Sequence, residues 1–169
     1  MTQHWQKITI KLILSSLLLT LLGGCGFHLR GAQDVSEEKR QVTLIAGNSS
    51  RELLQTLRQN MKFNGMQETA NAAYQLHILN HNYKRRTATV SNSSVDEYEL
   101  ILSVTVMIAD REGNPLSKEI RIQRERYYSY DKDAAAASSE QETLLRRELY
   151  NAVAQNILRL YLSSNQKNR

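Results

Sequence analysis

The chain is poor in the residues that staple, kink or loosen small folds. It has one cysteine, one proline and seven glycines in 169 residues. A single cysteine excludes a disulfide within one chain, so the fold must rest on its apolar core. One proline and few glycines leave little room for long flexible linkers, and no internal repeat is visible. The only low-complexity tract is Ala134-Ala135-Ala136-Ala137. Chemistry is sparse too. There is no Gly-x-Ser-x-Gly elbow, no glycine loop able to cradle a phosphate, and the carboxylates are scattered among basic residues as on a solvated surface, so no enzyme is expected. The histidines are His4, His28, His77 and His81. His77 and His81 are four apart on a strand-like segment, roughly 13 Å by strand rise, too far to share one ion. With no second cysteine, no metal site is expected.

The one cysteine that is present is informative. It closes Leu22-Gly23-Gly24-Cys25, after an apolar run Leu12 to Leu22 and a basic start with Lys7 and Lys11. Eleven apolar-run residues suit a signal-peptide core and are too few to span a bilayer. This is the pattern of a bacterial lipobox. It predicts cleavage before Cys25, with S-diacylglycerol and N-palmitoyl groups on that residue and no other cofactor. Two or more acyl chains give stable anchoring where one does not. Gly26 follows, rather than the Asp that retains lipoproteins in the inner membrane, which favours the outer membrane. The expected organisation is a signal peptide over 1–24, a lipidated N-terminus and tether over 25–41, one domain over 42–162 and a frayed polar tail over 163–169.

The signal segment holds two of the 22 basic residues and none of the 17 acids, so the mature chain carries +3. That mild excess suits an anionic headgroup and is too small to argue for nucleic acid.

Val42 to Ala46 reads as a strand. Ser49 and Glu52 fit a capping box for a helix over about 50–64, with Leu53, Leu54, Leu57 and Met61 on one face and Gly65 as its left-handed stop. Tyr74, Leu76 and Ile78 begin a second strand that extends toward Val90. Tyr98 to Ile108 forms a third, apolar on nearly both faces and so central in the sheet. Gly113-Asn114-Pro115 marks a turn, and Glu119 to Tyr130 a fourth strand forming a hairpin with the third. Ser139 and Glu142 fit a second capping box, before a helix with Leu145, Leu149, Ala152, Val153, Asn156, Ile157 and Leu160 at helical spacing. Two amphipathic helices on one face of a four-stranded sheet, in the order β-α-β-β-β-α, make a two-layer α+β domain.

Basic residues cluster at Lys84-Arg85-Arg86 near the end of the second strand. Arg121, Arg124 and Arg126 lie on the fourth, the last two sharing a face, with Lys132 beyond. Arginine offers paired donors to phosphate; a solvated, ion-paired surface is the plainer reading, with Glu119 and Glu125 nearby. Tyr127, Tyr128 and Tyr130 suit either an interface or strand-end packing.

Cys25-Gly26-Phe27-His28-Leu29-Arg30-Gly31 resembles the start of the mature chain in the LptE (RlpB) family of lipopolysaccharide-assembly lipoproteins. Asn64-Gly65 after the first helix, Thr87-Ala88-Thr89-Val90 before Glu97-Tyr98, and Glu140-Gln141 ahead of Glu148-Leu149-Tyr150 extend the likeness over nearly all of the mature chain. The resemblance implies an outer-membrane lipoprotein in a one-to-one complex with the β-barrel LptD. It would plug that barrel and assist its assembly, and would bind lipopolysaccharide as the pair inserts it into the outer leaflet. Basic residues linked to lipopolysaccharide in relatives are unmatched here, where those stretches read Ser91-Asn92-Ser93-Ser94 and Ala134 to Ser139. Lys84, Arg85, Arg86 and Lys132 flank them and are the candidate lipopolysaccharide contacts. The alternative is a free periplasm-facing lipoprotein that binds another envelope ligand, a lipid or cell-wall fragment, without a barrel partner.

Overall fold

The structure, a computed structural model, describes residues 36–47, 49–91 and 94–164. The signal segment, Cys25, His28, Asn92 and Ser93 lie outside the described residues. The elements run α1 (Glu37–Arg40), β1 (Gln41–Ala46), α2 (Arg51–Phe63), β2 (Gln67–Glu68), β3 (Tyr74–Ser91), β4 (Ser94–Asp110), β5 (Ile120–Ser129) and α3 (Ala135–Ser163). They form an α+β domain with one mixed sheet in the order β2-β1-β3-β4-β5. β1 runs parallel to β2 and β3, while β3, β4 and β5 are successively antiparallel. A parallel pair needs a crossover, which α2 supplies between β1 and β3. The sheet therefore has a fifth strand beyond the four expected. Two residues of β2 are too short to carry a periodic signal.

The predicted central strand is β4, flanked on both sides by long partners. Its alternation sorts the two faces. Leu100, Leu102, Val104, Val106 and Ile108 are almost wholly buried, against Leu53, Leu57 and Met61 of α2 and Leu149, Val153 and Ile157 of α3. The opposite face carries Ile101, Ser103, Thr105 and Met107, each half-buried, and no helix of the described residues covers it.

Local chemistry places the helix ends. Ser50, not Ser49, caps α2: its hydroxyl accepts from the Leu53 N–H at 3.1 Å. At the other end Gly65 adopts φ 66°, and the N–H groups of Gly65 and Met66 return to Lys62 and Met61 carbonyls. That is the Schellman pattern, with Met61 and Met66 both buried beside it. α3 begins at Ala135, ahead of the expected Ser139–Glu142 box. Alanine has the highest helix propensity, so the run starts the helix early and leaves Glu142 free for another partner.

The polar stretch Asp34 to Arg40, expected as tether or loop, contains α1. Lys39 is buried there and donates to the carbonyls of Tyr161 and Leu162 at 3.2 and 3.0 Å, and to the Ser164 hydroxyl at 3.3 Å. The last turn of α3 has no basic residue of its own. Lys39 brings the cation that the carbonyl end of a helix favours. The Tyr161 hydroxyl donates to the Gln41 carbonyl at 3.0 Å, closing the same corner.

Candidate functional site

β3 does not alternate uniformly. Ile78 pairs with Val106 and Asn80 with Thr105, so Leu79 is an extra residue. Such a bulge inverts the side-chain pattern beyond it. His77 stays with Met107 on the bare face, while His81 turns to the helix side and shares a hydrogen bond of 3.0 Å with the Tyr150 hydroxyl. The bulge thus sets the two histidines on opposite faces, a stronger separation than distance alone. No group of three His, Cys, Asp or Glu suited to a metal occurs among the described residues.

The same inversion sorts the basic cluster. Lys84 pairs with Ile101 and Arg86 with Glu99, so both stand on the bare face; Arg85 pairs with Leu100 and turns to the helices. The cluster is therefore not one patch. Lys132 lies exposed in the segment between β5 and α3. Among the described residues, Lys84 and Lys132 have no ion-pair or hydrogen-bond partner.

Arg85 is held on its own side. Its Nη1 donates to Glu142 at 2.8 Å, and its guanidinium lies 4.7 Å from the centroid of the Tyr98 ring. The Tyr128 hydroxyl donates to the same Glu142 oxygen at 2.6 Å. Tyr98 stacks on Tyr128 at 5.6 Å and meets Tyr130 edge-on at 5.4 Å. Burial, then the hydrogen bond to Glu142, pushes the Tyr128 hydroxyl up to about 12. For Glu142 burial works upward, but the bonds from Tyr128 and Arg85 outweigh it and leave the carboxyl below its ordinary range. Arg126, in register with Leu100 on the same face as expected, approaches Glu148 at 3.7 Å. These pairs fasten α3 to the sheet.

On the bare face, Arg86, Glu99 and Tyr127 stand in one row across β3, β4 and β5. Arg86 donates through Nε to Glu99 Oε2, and the Tyr127 hydroxyl donates to Glu99 Oε1 at 2.9 Å. Glu99 is 2% exposed although no element covers it, because these two side chains close over it. The hydrogen bond from Arg86 holds its carboxyl below the ordinary range against the opposing effect of burial. Sequence reasoning placed Glu99 and Tyr127 on their strands without linking them. The available signal was an acid inside the most apolar strand, which demands a partner. Three rows along, opposite Thr105, Arg121 reaches back one row and donates to the Ser103 hydroxyl at 2.9 Å and to Gln123 at 3.2 Å. The three tyrosines thus divide: Tyr128 packs inward at 3% exposure, while Tyr127 is 49% exposed on the bare face.

Uncovered by the described helices, this face combines the Arg86–Glu99–Tyr127 and Arg121–Ser103 contacts with half-buried Ile101 and Met107. Comparisons with known proteins give the family. A family model for LptE, lipopolysaccharide-assembly, matches residues 40–160. The LPS-assembly lipoprotein LptE of Pectobacterium atrosepticum is 24% identical over 156 residues, covering 88% of this chain and 83% of the relative. That of Yersinia enterocolitica is 25% identical over 160 residues, covering 90% and 75%. Among solved structures, a minor lipoprotein from Acinetobacter baumannii superposes with a TM-score of 0.62 at 28% identity, covering 76% of this chain and 93% of its own. Rare lipoprotein B from Shewanella oneidensis shares the fold, with a TM-score of 0.59 at 24% identity over 70% of this chain and 91% of that one. The chain belongs to the LptE family of non-enzymatic lipopolysaccharide-assembly lipoproteins.

Proposed function

We propose that this lipoprotein is anchored to the outer membrane through lipid on Cys25, with residues 1–24 removed and 25 onward tethering the domain. In this reading it forms a one-to-one complex with the β-barrel LptD, occupies the barrel lumen, assists barrel assembly and binds lipopolysaccharide during insertion into the outer leaflet. The family match over 40–160 carries the reading. The bare sheet face supports it physically. The interior of an outer-membrane barrel is polar, and this face presents serine, threonine, glutamine and paired charges around the apolar side chains of Ile45, Ile101 and Met107. A rigid sheet with long strands also supplies a surface that binds without reordering, which lowers the cost of association.

The test is affinity purification from detergent-solubilised outer membranes, through a tag after Arg169. A large β-barrel recovered in equal amount is the expected result. Recovery of the lipoprotein alone at full expression overturns the plug and favours a free envelope-ligand binder.

A further inference from the structure

Not all four candidate cations are equivalent, and the register separates them. We infer that Lys84 and Arg86 form a phosphate-binding pair on the bare sheet face, with Glu99 as the residue that positions Arg86, and that Arg85 and Lys132 lie outside this site. The inference rests on the lipopolysaccharide-binding reading and assigns it a location.

Lys84 and Arg86 are two residues apart on one strand face, so their stems stand roughly 6.6 Å apart. A phosphate has oxygens enough for both. Lys84 is exposed and free of internal partners. Arg86 is fixed without being used up. Its one bond within the described residues is from Nε to Glu99, so the two terminal nitrogens remain available. Its side chain is 65% exposed while the carboxylate beneath it is 3% exposed. A guanidinium held by its inner edge and open at its outer edge presents a planar fork in a set orientation, the geometry that binds phosphate through two parallel N–H bonds. Tyr127 occupies the other oxygen of Glu99 and completes the support.

Arg85 differs in both respects. Its edge bonds Glu142 and its plane lies over Tyr98, on the opposite side of the sheet. Recruiting it to a ligand would undo the contacts that fasten α3. Acids on the bare face limit where an anion can sit. Glu97 accepts from the Thr89 hydroxyl at 3.2 Å, and Glu125 stands two strands from Lys84, across Ile101, roughly 10 Å away. Neither forms a bond to Lys84 or Arg86, but Glu125 lies near enough to act on Arg86 and Glu99, which confines an anion to the β3 side of the guanidinium. The ligand chemistry is a phosphate group, available on lipid A or as free phosphate; the paired geometry alone does not separate these, and the experiment does.

The measurement is equilibrium binding of purified lipopolysaccharide to the full chain in detergent. It compares wild type with Lys84→Ala/Arg86→Ala, Arg85→Ala, Lys132→Ala and Glu99→Gln, each checked by thermal unfolding. The double variant should bind about tenfold more weakly or worse, since bonds to charged groups are lost, while Arg85→Ala and Lys132→Ala stay within about twofold. Glu99→Gln should weaken binding by an intermediate factor, because the fork loses its anchor but keeps its charge. Lipopolysaccharide stripped of lipid A phosphates should bind wild type as poorly as the intact lipid binds the double variant. Displacement by millimolar inorganic phosphate would instead overturn the lipid source. Equal binding by wild type and double variant overturns the site. If wild type binds no lipopolysaccharide at all, the parent reading fails, a distinct outcome. Should the double variant not fold, Lys84→Ala alone decides, because that side chain supports nothing else: expected is a loss of about threefold, and wild-type binding sinks the pair.

Discussion

The two faces of the central sheet are built from alternate residues of the same strands, yet they obey different rules. On β4 the even positions from Leu100 to Ile108 are closed off by α2 and α3, while Glu99, Ile101, Ser103, Thr105 and Met107 look out from an uncovered surface. The covered face is held by apolar contact, which is non-directional and scales with buried area. The bare face is held by directed pairs: Arg86 and Tyr127 on Glu99, and Arg121 on Ser103 and Gln123. Stability therefore concentrates on one side, and the proposed recognition falls to the other. A single bulge at Leu79 decides which side several β3 residues join, His81, Lys84, Arg85 and Arg86 among them.

The comparison is broken most easily from the covered face. Leu102→Ala removes a side chain with no exposure and should cost about 2–5 kcal/mol in urea unfolding. Ser103→Ala, its neighbour on the bare face, should change stability by less than about 0.5 kcal/mol. Similar losses for both would erase the distinction between faces. Next in size is Lys39→Met. It leaves the Tyr161 and Leu162 carbonyls without their donor, a cost of about 1–3 kcal/mol, read as a lower melting temperature. A smaller effect, about 1 kcal/mol, is expected for Gly65→Ala. No atom lies within 4 Å of a Cβ there, so the whole penalty is the left-handed backbone at φ 66°.

Acid sharpens the contrast last. Hydrogen bonds from Arg58 and Arg86 hold Glu68 and Glu99 below the ordinary carboxylate value of 4.5. Their folded pKa values are thus below their unfolded ones. The stability they contribute is present above pH 4.5 and is lost as pH falls through the folded values. Glu99→Gln should flatten the stability profile below that pH, as followed by denaturant midpoints from pH 6 to 3 (roughly the carboxylate range). An unchanged profile would show that Glu99 bears no part of the acid sensitivity.

Much of this architecture could be read from the residues. Alternation in Leu100 to Ile108 revealed an interior strand, fourth of the five in the sheet, and the spacing of Leu53, Leu57 and Met61 revealed α2. Asn64-Gly65 marked its end, since only a left-handed residue closes that turn easily. What escaped detection depends on contacts distant in sequence. The bulge at Leu79 has no glycine or proline to announce it, so the split of Lys84-Arg85-Arg86 between faces was not foreseen. Lys39 looked like tether because its partners lie more than a hundred residues away, at the end of α3. Capping motifs misled twice: Ser49 stands one residue before the true cap, and Ser139 lies inside a helix that alanines had already begun. The resemblance over Cys25 to Gly31 identified the family, but not which surface acts.

The division of labour between the faces is the central claim, and genetic replacement tests it most directly. The triple variant Asn82→Glu/Ser103→Glu/Gln123→Glu alters one row of the bare face and leaves the covered core intact. It would be expressed as the only copy in cells that need lipopolysaccharide assembly to grow. The account predicts a folded protein, with a melting temperature within a few degrees of wild type, that fails to support assembly. A folded triple variant that sustains growth and surface lipopolysaccharide at wild-type levels would contradict it.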